Sequence, residues 1–318
     1  MNSNIVLVTG AGGFVGQSVI SSLIGKRTIR GALHKNSLSV DCSIKSISYV
    51  NTELSAEYNW MSTLRGVSEI VHCGAKVHAP HKNSVDELTS FRMVNVEGTL
   101  QLARQAALAG VKRFIFISSI GVLGDQTFEK PFCEEDSPQP YSPYTTSKFE
   151  AELGLRLIEH QSDMEVVIIR PPMVYGKDAP GNFGFLLRFI LRGIPLPLAA
   201  IVDNRRSFIY VENLVDFICL CLDHPSAAGQ TFLVADGQDL STKEFIKKIA
   251  SASGVSPRLF PISPATLNWC ADFLGRSITI RSLTSSLQID ISKACLMLDW
   301  RPPVSLDDGL LRSVEWRV

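Results

Sequence analysis

The chain lacks any charge imbalance: its 318 residues carry 31 Lys and Arg against 31 Asp and Glu, for a formal net charge of zero. A globally basic nucleic-acid binder would show an excess of cations, so no nucleic-acid partner is expected. Long apolar runs are also missing. None reaches the ~18–20 residues that a membrane-spanning helix requires, and no membrane partner is expected. Repetitive composition is absent, with 22 Gly and 16 Pro in ordinary proportion. The seven cysteines (Cys42, Cys73, Cys133, Cys219, Cys221, Cys270 and Cys295) are odd in number and form no CxxC pair. A disulfide framework is therefore not expected. Cys219 and Cys221 lie in the apolar run Phe217 to Leu222 and read as reduced thiols packed in a core. His72, Cys73, His78 and His81 cluster in sequence but fit no closed zinc spacing, so no metal is expected. Met1-Asn2-Ser3-Asn4 carries neither a charged leader nor a cleavage site, and a cytoplasmic protein is expected.

Strand-like runs and helical patterns alternate through the first half. Ile5–Thr9, Ile29–Leu33, Ile47–Val50, Ile70–His72, Phe114–Ile117 and Val166–Ile169 are short, apolar, β-branched and bounded by turns. Amphipathic stretches separate several of them, as where Leu88, Phe91, Leu100, Ala103 and Ala107 recur at helical intervals. Such alternation predicts right-handed βαβ units and a parallel sheet. Residues 176–206 read as loop-rich because of Gly181, Gly184, Gly193, Pro195 and Pro197. Phe208–Val211 and Thr231–Val234 read as further strands around a helix, and from Ser241 the pattern is mostly helical. A dinucleotide-binding domain is expected over 1–175 with a return at 207–235. A substrate-binding domain is expected over 176–206 and 236–318.

Thr9-Gly10-Ala11-Gly12-Gly13-Phe14-Val15-Gly16 follows the first strand and opens a helix. Glycines here allow a tight turn, close approach of a pyrophosphate to the backbone, and close packing of helix on strand. The helix N-terminus then offers unpaired N–H groups to phosphate. A purely structural turn is the plainer alternative. An NAD site usually carries an acid on the ribose 2′-OH at the end of the second strand. That place reads Leu33-His34-Lys35-Asn36. His34 and Lys35 suit a 2′-phosphate, so NADP(H) is expected, with NAD(H) as the alternative.

Tyr144 and Lys148 are four apart, on one face of a helix that Ser142 caps and Pro143 begins. A phenol near pKa 10 is a poor acid–base at neutral pH, and a neighbouring ammonium is expected to lower it. Ser119 closes the strand-like run Phe114–Ile117, at the sheet edge where open α/β sheets bind ligands. The glycine turn, a serine at a strand end and a Tyr–Lys helix, in that order, predict proton transfer to a sugar or alcohol oxygen coupled to hydride transfer at its carbon.

With these motifs the sequence resembles the extended short-chain dehydrogenase/reductase family, in its nucleotide-sugar branch. Further likeness lies in Glu53-Leu54, Asn95-Val96-Glu97-Gly98-Thr99, Arg170-Pro171-Pro172-Met173-Val174-Tyr175-Gly176 and Asp290-Ile291-Ser292-Lys293. The resemblance implies a Rossmann-type, doubly wound α/β fold with a smaller, mostly helical C-terminal substrate domain. It implies Ser119, Tyr144 and Lys148 as catalytic trio, Tyr144 and Lys148 also meeting the cofactor. Other implied cofactor contacts are Gly10, Gly13, Phe14, Val15, Gly16, Glu53, Leu54, Ala75, Asn95, Ser118, Pro171 and Val174. A UDP-sugar is the implied substrate, touched by Ser119, Tyr144, Asn182 and Arg206, and the implied assembly is a homodimer pairing the Phe91- and Tyr144-bearing helices. Ile120-Gly121 stands where 4,6-dehydratases carry Asp-Glu, so dehydration is not expected. Reduction of a UDP-4-keto-6-deoxy-N-acetylhexosamine, leading to UDP-N-acetylquinovosamine, is preferred. UDP-(N-acetyl)glucose 4-epimerisation and a non-catalytic dinucleotide sensor remain as alternatives.

Overall fold

Residues 4–34, 47–77, 84–273 and 277–315 are described by the computed structural model. The apolar, β-branched runs become strands: β1 (Ile5–Thr9), β2 (Thr28–His34), β3 (Ile47–Thr52), β4 (Val67–His72), β5 (Arg113–Ile117), β6 (Glu165–Arg170), β7 (Met173–Tyr175), β8 (Phe208–Tyr210) and β9 (Thr231–Leu233). The helices are α1 (Phe14–Leu23), α2 (Ser84–Phe91), α3 (Thr99–Leu108), α4 (Pro143–His160), α5 (Gly181–Leu191), α6 (Val211–Asp223), α7 (Thr242–Ala252), α8 (Pro264–Phe273), α9 (Ser277–Thr284), α10 (Ser292–Leu298) and α11 (Leu306–Val314). A π-helical stretch, Arg92–Gly98, joins α2 to α3.

Seven strands form one parallel sheet in the order β3-β2-β1-β4-β5-β6-β9. Strand order reverses between β1 and β4, which leaves a crevice beyond their carboxyl ends. Alternate residues of β1 serve opposite faces. Val6 and Val8 pack with α1 and α6 through Val19, Ile20, Leu214 and Phe217. Leu7 packs with α3 and α4 through Leu102, Ala103, Ala151 and Leu155. Both faces are thus covered, the condition a parallel sheet needs. Among the described residues, no helix is long and apolar enough to cross a membrane.

One detail was left open by the sequence reading and another departs from it. The strand at Phe208 does not join the large sheet but pairs with β7 in a separate two-stranded one. The span read as loop-rich contains α5. Its glycines punctuate the helix rather than dissolve it. Gly181 stands at its start with φ +68° and Gly193 follows its end with φ +63°. Phe183, Leu186, Leu187 and Ile190 form its buried i, i+3, i+4, i+7 face.

Candidate active site

The turn after β1 sets the crevice floor. Gly10 has φ +64°, and a Cβ there would lie 2.8 Å from the Gly74 nitrogen. A Cβ on Gly16 would lie 2.2 Å from the Gly10 oxygen, so α1 can pack this close only without one. Gly13 is the N-cap of α1 and offers no side-chain cap, and the first turn carries no acid. The leading N–H groups and the positive end of the helix dipole are left for an external anion. This cradle fits the pyrophosphate of a dinucleotide.

A cavity of about 410 Å³ opens beside it. Gly10, His34, Glu53, Leu54 and Ala75 all line it, together with Thr52, Trp60 and Val94. It brings together five of the expected cofactor residues at the strand ends. Lys35 lies outside the described residues, as do His78, His81 and Cys42. A wider cavity of about 1100 Å³ runs from Gly13 and Phe14 along the outer side of α1 to Lys26, and no member of the trio lines it. Val15 is half-buried on α1, and Val174 half-buried on β7.

α4 carries the Tyr–Lys pair and is capped as its sequence indicates. Ser142 Oγ accepts from the Thr145 N–H at 3.2 Å, Thr145 Oγ1 accepts from the Ser142 N–H at 3.0 Å, and Pro143 opens the helix. Tyr144 packs edge-on to Phe91 at 6.0 Å. Lys148 is 2% exposed, its Nζ 3.9 Å from the centre of the Phe116 ring. Ser119 caps the short 3₁₀ turn Ile120–Val122, its Oγ accepting from the Gly121 N–H at 3.1 Å. Pro171 anchors the same turn by accepting from the Ile120 N–H at 3.0 Å.

Electrostatically the pair departs from expectation. Burial pushes the Tyr144 phenol up to about 12, with a further push from Tyr141. Burial pushes the Lys148 ammonium down to about 7, against the pull of Glu152. The expected acidified phenol is therefore not the resting condition. Desolvation penalises both charged forms, and the charges that act on them are Tyr141 on the phenol and Glu152 and Cys73 on the ammonium rather than each other.

Beneath Lys148 lies a buried polar frame that motif reading did not find. His72 is fully buried, bonded through Nδ1 to Thr9 Oγ1 at 2.7 Å and through Nε2 to Thr99 Oγ1 at 2.9 Å. Burial, then Lys148, hold its pKa down to about 3, so the ring stays neutral. Cys73, beside it, has its thiol pushed up to about 12 by burial. Glu152 accepts from Ser118 Oγ, and from Arg170 Nε at 3.0 Å and its terminal nitrogen at 2.6 Å. This ties β5 and β6 to α4 and consumes the Ser118 hydroxyl. Glu152 is one turn beyond Lys148 on the same face, and that i, i+4 spacing was the available signal. Asn95, 1% exposed, is likewise engaged within the chain. It accepts from the Lys76 N–H and donates to the Lys76 oxygen and to Ser147 Oγ. Any influence on a cofactor passes through those residues, and its π-helical setting is a common mark of functional sites.

The two expected sugar-nucleotide contacts beyond the trio, Asn182 and Arg206, lie in the C-terminal half. Arg206 pairs through its backbone with Leu240, and its guanidinium donates to the Ser285 oxygen at 2.8 Å. Burial lowers its pKa to about 10, offset by Tyr141 and Asp125. Asn182 on α5 donates to Ser282 Oγ of α9 at 3.3 Å. A cavity of about 900 Å³ lies alongside, lined by Leu123, Asp125, Gln139 and Tyr141.

Comparison with known proteins agrees with this architecture. The profile of the NAD dependent epimerase/dehydratase family matches residues 6–235. The chain is 38% identical over 317 residues to the UDP-glucose 4-epimerase of Vibrio cholerae, covering 98% of this chain and 94% of that protein. A UDP-glucuronic acid 4-epimerase from Bacillus cereus, solved in complex with NAD, aligns with TM-score 0.78 at 20% identity over 98% of both chains. A UDP-glucose 4-epimerase from Thermotoga maritima, solved with UDP-glucose, gives TM-score 0.76 at 22% identity over 98% of both chains. Those two structures speak to the fold, while the family profile and the Vibrio relative carry the assignment. The chain belongs to the NAD-dependent epimerase/dehydratase family, as an enzyme of the nucleotide-sugar branch of the extended short-chain dehydrogenases/reductases.

Proposed function

We propose that the protein inverts the C4 hydroxyl of a UDP-hexose. The observation that supports this reading is the burial of Lys148 on α4 over the Phe116 ring of β5 and within electrostatic reach of Cys73, just past β4, on the side of the sheet where strand order reverses, with Tyr144 one turn earlier on the same helix and Ser119 in the turn that follows β5. The 38% likeness to an epimerase over nearly the whole chain favours epimerisation over net reduction. Gly10, Gly13, Phe14, Val15 and Gly16 would hold the pyrophosphate of a nicotinamide dinucleotide; His34, Glu53, Leu54 and Ala75 its adenosine; Pro171 and Val174 its nicotinamide end. When bound, that group supplies a reversible hydride acceptor at the sugar carbon. Tyr144 Oη, once ionised, takes the proton from the C4 oxygen and later returns it. Ser119 Oγ donates to the same oxygen and steadies the ketone stage. Lys148, one helical turn beyond Tyr144, would favour the phenolate while its amine is protonated. Arg206 grips the diphosphate with its forked donors, while Asn182 stands nearby on α5. No net oxidation results, so the enzyme turns over without added cofactor.

A second reading, NADPH-dependent reduction of a 4-keto-6-deoxy sugar nucleotide, is favoured by the absence of an acid at His34, where β2 ends. One experiment separates them. The purified protein is incubated with UDP-galactose or UDP-N-acetylgalactosamine and no added cofactor, and products are resolved by NMR. Formation of the C4 epimer supports epimerisation. No conversion there, but NADPH consumption with a UDP-4-keto-6-deoxy-hexosamine, transfers the assignment to reduction. Residues 1–175 and 207–235 are read as the cofactor-holding part, and 176–206 with 236–318 as the sugar-holding part, of a cytoplasmic enzyme. We further read it as a homodimer, because Met93, beside α2, and Leu153 and Leu157 on α4 are 56%, 52% and 62% exposed.

A further inference from the structure

Gly121 stands two residues after Ser119, and a Cβ built on it would meet three groups. They are Thr145 Cγ2 at 2.6 Å, the Tyr141 ring at 3.2 Å and Ser119 Oγ at 3.4 Å. The Tyr141 ring edge and the Ser119 hydroxyl therefore border one small space, which glycine keeps open. Tyr141 is held there by its backbone, whose N–H donates to Thr145 Oγ1 at 3.1 Å, inside the cap of the helix bearing Tyr144 and Lys148. Its side chain nevertheless stays accessible: the residue is 43% exposed and lines the 900 Å³ cavity with Asp125 and Gln139. Its phenol feels Asp125 and Arg206 electrostatically, and Tyr144 in turn feels it. Tyr141 thus neighbours Ser119 and lies within electrostatic reach of both Tyr144 and Arg206.

We propose that Tyr141 is a substrate-positioning residue that contacts the hexose of the nucleotide sugar. This rests on the functional reading above. With the C4 oxygen at Ser119 and Tyr144 and the diphosphate at Arg206, the pyranose ring must bridge the interval that Tyr141 borders. A phenol suits that task, because its ring packs on the C–H face of a sugar while its hydroxyl exchanges hydrogen bonds with ring substituents. The plainer role, packing against Gly121 to shape the loop, predicts no discrimination between a nucleotide with a sugar and one without.

The test is calorimetric binding of UDP and of UDP-glucose to the wild type, Tyr141→Phe, Tyr141→Ala and Arg206→Ala, with turnover measured alongside. Loss of the hydroxyl alone is expected to weaken UDP-glucose binding about three- to tenfold. Loss of the ring should weaken it about tenfold or more. UDP itself should bind both Tyr141 variants as it binds wild type, whereas Arg206→Ala weakens both ligands together. Equal weakening of UDP and UDP-glucose in the Tyr141 variants, or no change in either, overturns the proposal. If wild type binds UDP-glucose but does not convert it, the functional reading fails while the binding comparison still judges Tyr141. A wild type that binds neither ligand refutes both.

Discussion

Replacing Lys148 by methionine should stabilise the protein, and by an amount that depends on pH. The native amine is 2% exposed, and burial lowers its pKa from 10.5 to about 7. Between those values the unfolded chain binds more protons than the folded one, so wild-type stability rises with pH across that window. Below pH 7 both states are protonated and the full cost of the buried ammonium is present. Linkage puts that cost at about 4–5 kcal/mol at pH 6 and about 2 kcal/mol at pH 9. Methionine keeps most of the volume and a favourable sulfur contact with the Phe116 ring, and it does not titrate. The gap between variant and wild type, measured by urea unfolding at matched nucleotide content, should therefore shrink by about 2–3 kcal/mol from pH 6 to pH 9. Activity should be lost at both. A gap that is constant, or that widens with pH, would mean that the folded protein keeps the ammonium charged through Glu152. The desolvation argument would then be wrong.

Tyr144→Phe should lower kcat by about 10²–10⁴ without altering the urea midpoint, because only the proton-transfer hydroxyl is removed; steady-state turnover near wild type would end the assigned role. Gly16→Ala places a methyl 2.2 Å from the Gly10 oxygen and should abolish cofactor retention, read as the nucleotide released on denaturing the purified protein. Glu152→Gln strands the buried Arg170 charge and should cost about 3–5 kcal/mol in urea unfolding, with Ser118 losing its carboxylate acceptor. An unchanged midpoint would show that the pair is dispensable.

How legible this molecule was depends on the length scale of each feature. The eight strand-like runs were readable because β-branched apolar residues between turns have few other stable fates. The glycine turn and the α4 cap were readable because their constraints are local: a Cβ clash across six residues, a hydroxyl three residues from the N–H it accepts. α5 was hidden because Gly181, Gly184 and Gly193 carry the same signals as a loop, and only burial of Phe183, Leu186, Leu187 and Ile190 shows otherwise. The pairing of β8 with β7, outside the main sheet, likewise follows from long-range packing rather than from either strand's composition.

At the site, the chain alone determined which chemistry was present: a serine at a strand end, a phenol and an amine one helical turn apart, and glycines where a phosphate must approach. Tertiary structure decided the energetics and the neighbours. Spacing argued for an ammonium that acidifies the phenol, yet enclosure moves the phenol up and the amine down, because desolvation depends on everything packed around a group and not on the residue four places away. His72 was visible only as one residue of a strand until the fold placed Thr9 and Thr99 on its two nitrogens. Tyr141 carried no motif at all. Its place beside Ser119 and within electrostatic reach of Arg206 exists only because segments far apart in the chain meet near the same turn.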